Sequence, residues 1–284
     1  LSASVLDNTI AWYENDGAAD PTWTADDIET SANGATSVFA ADMDGDGDMD
    51  IVSASSGDDT IAWYENDGAA DPSWTASHID HGGADGANCV FVADMDNDGD
   101  MDILSASPND NKIAWYENDG ASDPSWAASE IATSASKAWS VFSADMDNDG
   151  DMDILSASYD DHTIAWYEND GASDPSWAAS DIATDATTAR SVFAADMDND
   201  GDMDIISASE GDDTIAWYEN DGASDPSWSA SDIATSANGA YSVFATDMDN
   251  DGDMDILSAS VLDNTIAWYE NDGASDPSWA ASDI

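Results

Sequence analysis

The stretch DMDNDGDMDIL, residues 145–155, places aspartate at 145, 147, 149, 151 and 153 and then turns apolar. Like charges at this spacing repel. Two carboxylates about 5 Å apart cost roughly 3 kcal/mol at an effective dielectric near 20. The motif nonetheless recurs, beginning at Asp42, Asp94, Asp145, Asp196 and Asp247. A second motif, IAWYENDG, begins at Ile10, Ile61, Ile113, Ile164, Ile215 and Ile266, at spacings of 51, 52, 51, 51 and 51 residues. Residues 257–273 repeat residues 1–17 letter for letter. Repetition at a fixed period of this size decides the architecture before any local cue does. The chain holds five complete units and the later part of a sixth, and it opens in mid-motif at Leu1, as an excised or mature piece of something longer would.

Each unit reads as four short strands. In the first complete unit these are SVFAAD, with Val38 and Phe39, then DIVSAS at 50–55, TIAWYEN at 60–66, and a weaker SWTASHI at 73–79. In TIAWYEN, Ile61, Trp63 and Glu65 share one face and Ala62, Tyr64 and Asn66 the other. Gly57-Asp58, Asp67-Gly68 and Asp71-Pro72 supply the turns between them. No segment keeps a helical period. Four strands in about 51 residues, repeated, predict an all-β chain whose units are the blades of a β-propeller. The expected layout is one repeat domain over 1–284: a partial blade at 1–36, then blades at 37–88, 89–139, 140–190, 191–241 and 242–284. A linear β-solenoid is the competing architecture, but its coils are usually shorter and lack four-strand meanders.

The aspartate loop follows the pattern D-x-D-x-D-G-x-x-D. Alternate residues of a tight loop can converge on one hard cation, and Ca²⁺ takes six to eight oxygens. The candidate ligands are Asp42, Asp44, Asp46, Asp48 and Asp50 in the first copy and Asp94, Asp96, Asp98, Asp100 and Asp102 in the second. Those of the third are Asp145, Asp147, Asp149, Asp151 and Asp153, and of the fourth Asp196, Asp198, Asp200, Asp202 and Asp204. The fifth has Asp247, Asp249, Asp251, Asp253 and Asp255. Glycine at position 6 permits the bend, and position 7 is expected to offer its backbone carbonyl with its side chain toward water. An EF-hand is excluded, because position 12 of the first loop is Ser53 inside a β-type run rather than a bidentate glutamate on a helix. Zinc would want His or Cys, which the loops lack, and magnesium holds its waters too firmly. One Ca²⁺ per loop, five in all, would bring the formal charge from −60 to −50.

That charge comes from 63 acidic residues against 3 basic ones. It excludes nucleic acid, whose phosphates need clustered Lys and Arg, and an anionic membrane surface. No apolar run reaches the roughly 18 residues of a membrane span. The 42% hydrophobic content with 13 Trp argues for a packed core rather than disorder. Cys89 is the one cysteine, so no intrachain disulfide is expected, and it stands where other copies carry Ser37, Ser140, Ser191 and Ser242. The three histidines, His78, His81 and His162, do not recur with the repeat, and no catalytic constellation is found. The expectation is therefore a protein that is not an enzyme.

SVFAADMDGDGDMDIVSAS followed by DDTIAWYENDG resembles the FG-GAP/VCBS repeat family over essentially the whole chain. These are calcium-loop β-propeller repeats of integrin α-chain heads and many secreted microbial proteins. The resemblance implies a propeller with Ca²⁺ in the hairpin joining the first two strands of each blade, although the FG and GAP signatures themselves are replaced by VF and SAS.

Differences among the copies fall in two places: the turn between the second and third strands, and the connection between units. A four-strand meander puts both on one face, opposite the metal loops and the ENDG turns. Lys112, Lys137 and Arg190 lie in these variable segments, as do Trp139, Tyr159 and Tyr241, so any partner contact is expected there, unless the segments simply drift. ENDG reads as a tight-turn device, and the recurring tryptophans as core between units. The expected function is extracellular: a calcium-stabilised module for adhesion, recognition or protein–protein contact, with other proteins or copies of itself as partners. Alternatives are a structural subunit of an extracellular filament or appendage, and a lectin binding glycans.

Overall fold

The structure is a computed structural model that describes residues 1–275 and 277–284. Six antiparallel sheets form along the chain, where the repeat count anticipates five complete units and a partial one. The first is a sheet in its own right, built from only three strands: β1 (Ser2–Ser4), β2 (Thr9–Asn15) and β3 (Trp23–Glu29). The second holds β4 (Ala35–Ala41), β5 (Asp50–Ser55), β6 (Thr60–Asn66) and β7 (Trp74–His81). The third holds β8 (Cys89–Ala93), β9 (Asp102–Ser107), β10 (Lys112–Asn118) and β11 (Trp126–Ala132). Next come β12 (Ala138–Ala144), β13 (Asp153–Ser158), β14 (Thr163–Asn169) and β15 (Trp177–Ala183). β16 (Ala189–Ala195), β17 (Asp204–Ser209), β18 (Thr214–Asn220) and β19 (Trp228–Ala234) make the fifth sheet. β20 (Ala240–Thr246), β21 (Asp255–Ser260), β22 (Thr265–Asn271) and β23 (Trp279–Asp283) make the sixth. Strands are neighbours in chain order throughout, and no described residue is helical.

The chain divides into two compact units, residues 1–94 with 98–135, and residues 95–97 with 136–284. In the first, β5 is buried along its whole length, whereas the outer strand β7 is mostly exposed. The sequence explains both. In DIVSAS, Ile51 and Val52 point to opposite faces and the rest is small Ser and Ala, so neighbouring sheets can close on either face of β5. WTASHIDH is polar enough to leave an edge strand in water. Trp63 of β6 meets Trp126 edge-on, with ring centroids 6.4 Å apart, and Trp12 meets Trp74 at 6.5 Å. Phe39 packs on Phe91 at 5.0 Å. Val52, Ala54 and Ile61 bury against Val90, Val92 and Ile103 in one continuous core.

The second unit repeats this scheme. Trp166 meets Trp228 and Trp217 meets Trp279, at 6.3 and 6.4 Å. Phe193 stacks between Phe142 and Phe244, at 4.5 and 5.0 Å. Within each unit the recurring tryptophans therefore form the core between consecutive sheets, as the sequence predicts. Trp63, Trp166 and Trp217 are the buried members of their pairs, and fully burying a large side chain contributes on the order of 2 kcal/mol or more.

Candidate metal loops and the ties between repeats

Each aspartate loop joins the first two strands of a four-stranded sheet. In the first, Ala41 pairs with Asp50 across the hairpin mouth, and residues 42–49 form the loop. Backbone amides fold it around its own carboxylates. Asp42 Oδ2 accepts from Gly47 N at 3.0 Å, Asp44 Oδ1 from Asp46 N at 3.2 Å, and Asp46 Oδ1 from Asp48 N at 2.9 Å. The bend requires φ near +97° at Gly47, a conformation that side chains resist, and Gly99, Gly150, Gly201 and Gly252 match it.

Carboxylate oxygens of Asp42, Asp44 and Asp50 lie within 4.8 Å of one another. The same holds for Asp94, Asp96 and Asp98 within the second loop, and for Asp145, Asp147 and Asp149 in the third. Asp196, Asp198 and Asp200, then Asp247, Asp249 and Asp251, complete the series. Every donor is a hard oxygen, and Asp42 Oδ1 is buried with no hydrogen-bond partner. Burial, and then neighbouring carboxylates, hold Asp147 and Asp198 above the usual carboxylate range. Such a cluster favours protons or a cation. The residues present fit a calcium ion.

The structure separates position 9 from positions 1, 3 and 5. Asp153 is fully buried, and its two oxygens accept Met146 N at 3.1 Å and Asn169 N at 2.8 Å. Asp204 does the same with Met197 N at 3.0 Å and Asn220 N at 2.8 Å. Burial pushes both carboxyls up to about 7. Position 9 is thus a clip that fastens the loop to the third strand. In the third, fourth and fifth loops it stands outside the close carboxylate group; in the first, Asp50 belongs to both.

Position 7 departs from expectation. Its side chains do not simply face water. Asp151 Oδ1 accepts from Asn97 Nδ2 at 2.6 Å, Asp202 from Asn148 at 2.6 Å, and Asp253 from Asn199 at 2.7 Å. Each donor sits at position 4 of the preceding loop. A left-handed backbone (φ about 60°) swings these asparagines outward, a conformation asparagine tolerates well. The same carboxylates crowd the ENDG glycines: a Cβ on Gly171 would stand 2.2 Å from Asp151 Oδ2.

The ENDG asparagine is more than a turn residue. Asn220 Oδ1 accepts from Gly222 N at 3.0 Å, which is the turn. Its Nδ2 donates to Met203 O of its own loop at 3.0 Å and to Met146 O of the preceding loop at 2.8 Å. Asn118, Asn169 and Asn271 repeat this bridge to Met43, Met95 and Met197. The local sequence gives no hint of a partner more than 70 residues away; the signal that could have found it is the recurrence of a buried-type Asn where other turn residues would serve.

At the other end of the sheets, the variable turns and connections meet each other. Tyr159 N donates to Lys137 O, and Glu210 N to Thr188 O. The only arginine, Arg190, lies 4.0 Å from the Trp139 ring centroid, 4.3 Å from Tyr159 and 5.0 Å from Tyr241, and it pairs with Glu210. Of the basic and aromatic residues expected at a partner surface, Lys137, Arg190, Trp139, Tyr159 and Tyr241 thus engage one another across three sheets, whereas Lys112 pairs with Asp110 and Glu130. His162 Nδ1 accepts from Thr188 N at 2.9 Å and serves the same connection.

Residue and loop geometry together define a class: a tandem-repeat β protein with one acidic hairpin loop per four-stranded sheet. The FG-GAP-like repeat family model matches residues 1–53, 42–105, 94–156, 145–207 and 196–258, and the chain belongs to that family. No curated protein matches the sequence. Among solved structures, a protein from Lactobacillus plantarum is similar at 15% identity and a TM-score of 0.61, over 93% of this chain and 74% of that one. The biofilm matrix protein Bap1 of V. cholerae is similar at 19% identity and a TM-score of 0.50, over 87% of this chain but 38% of its own length.

Proposed function

We propose that the chain is an extracellular, calcium-stabilised β-propeller repeat protein that acts through protein–protein contact, in adhesion or recognition, and not as an enzyme. The observation that carries the calcium reading is the close carboxylate trio repeated in every loop, with only hard oxygen donors. Family membership supports the propeller; its blades would be a partial one at 1–36 and then 37–88, 89–139, 140–190, 191–241 and 242–284. Extracellular calcium modules bind at roughly 10⁻⁴ to 10⁻³ M, and loops of that affinity favour an extracellular site of action. Asp at positions 1, 3 and 5, or at 1, 3 and 9 in the first loop, would hold the ion, and its charge would replace carboxylate repulsion by attraction.

Calorimetry tests this directly. EDTA should lower the melting temperature strongly and Ca²⁺ should restore it. A melting temperature indifferent to both would reject the calcium reading.

A second reading, a structural component of an extracellular matrix or filament, is favoured by the likeness to a biofilm matrix protein. Electron microscopy of native material separates the two. Discrete particles support the recognition module, and ordered filaments support the structural one.

A further inference from the structure

Loop residues of the second unit are tied to one another at two points. Asn97, Asn148 and Asn199 donate to Asp151, Asp202 and Asp253 of the following loop. Asn169, Asn220 and Asn271 hold the carbonyls of Met95, Met146 and Met197 in the preceding loop. The placement of these ties matters. Asn148 stands between Asp147 and Asp149, two members of one carboxylate trio. Its partner Asp202 donates its own amide to Asp200 Oδ1, a member of the next trio, at 3.0 Å.

An ion that fixes Asp147 and Asp149 therefore also fixes Asn148, and through it Asp202 and the approach to Asp200. Part of the ordering entropy of the next loop is then already lost before its ion arrives. Linkage makes the effect reciprocal. We propose that Asn97, Asn148 and Asn199 are positioning residues that make calcium uptake cooperative along the row of loops. The proposal rests on the calcium reading above. Repulsion between bound ions opposes it, but salt screens exposed charges over about 8 Å at physiological ionic strength.

The chain contains its own exception. Position 4 of the first loop is Gly45, which has no side-chain amide to offer Asp100. Its φ of +72° suits asparagine, and nothing lies within 4 Å of an added Cβ. Gly45→Asn should therefore add a tie, while Asn→Gly elsewhere removes one without straining the backbone.

The test is a CaCl₂ titration of the EDTA-treated 284-residue chain in 0.15 M NaCl, followed by tryptophan fluorescence, with bound calcium counted by equilibrium dialysis. The native chain should give a Hill coefficient above about 1.5, corresponding to coupling at the low end of the usual range of about 5- to 150-fold. The triple variant N97G/N148G/N199G should bind the same number of ions with a Hill coefficient near 1, and G45N should raise the native value. Native uptake with a Hill coefficient of 1, a triple variant that keeps the native value, or no rise in G45N would each overturn the coupling while leaving calcium binding intact. Absence of calcium uptake would overturn both.

Discussion

Two residue positions set the loop: the fourth, which needs a left-handed backbone, and the sixth, where φ approaches +100°. At the sixth position no neighbour crowds the backbone, since nothing lies within 4 Å of a Cβ on Gly150. Gly150→Ala should therefore lose stability through strain alone, about 1–3 kcal/mol, as read by urea denaturation. Position 9 fails differently. Asp204→Ala strips the acceptor from two amides, those of Met197 and Asn220, at a fully buried site. The expected loss is about 2–6 kcal/mol, from two orphaned donors at about 1–3 kcal/mol each. Asp204→Asn, which keeps one acceptor oxygen, should lose less; equal losses would contradict the clip.

A third residue-scale effect concerns the exposed turn after each third strand. The Ser125 hydroxyl, then its amide, hold the Asp119 carboxyl below its ordinary value. The sign follows from linkage: a carboxyl lowered in the folded state stabilises the fold above its unfolded pKa, and that contribution is lost as pH falls through the folded pKa. Ser125→Ala should raise the Asp119 pKa toward the ordinary value in a carbon-detected NMR titration. An unmoved pKa would contradict the hydroxyl's role.

At the scale of elements, legibility followed locality. β5 and β6 occupy the residues their patterns predict, because alternation and strict recurrence both point to them. β4 extends back to Ala35 and β7 on to His81, beyond the predicted bounds, because pairing with an established neighbour extends a strand past its apolar residues. The aspartate trios of the second to fifth loops were legible for the same local reason: carboxylates two residues apart in a bent loop converge. The ties were not. Asn148 and Asp202 are 54 residues apart, and only the register of two whole sheets brings them together. Nor was the Arg190 stack legible, since a variable loop reads the same whether it drifts or packs. Trp217→Ala removes one ring of the pair with Trp279 and opens the core between two sheets. A loss of about 3–5 kcal/mol is expected, and hydrogen exchange should quicken in both sheets rather than one.

At the scale of the molecule, charge dominates. A formal net charge of −60 on 284 residues opposes every compact state through self-repulsion. Sodium chloride alone should therefore raise the melting temperature of the EDTA-treated protein, because screening weakens that repulsion without filling a site. Calcium should do so at far lower concentration. A salt effect as large as the calcium effect at equal ionic strength would mean that the loops bind nothing in particular.

The bridge made by the ENDG asparagine has a consequence for heredity. Asn118, Asn169, Asn220 and Asn271 each reach the same carbonyl in the copy before. The bridge therefore does not depend on which copy stands beside which. A recombination event that adds or removes one whole period leaves every bridge with its partner, whereas one that cuts within a period strands an amide and a carbonyl at the scar. Selection on folding alone thus admits lengthening and shortening only in whole steps. Near-identical copies are what such a lineage accumulates.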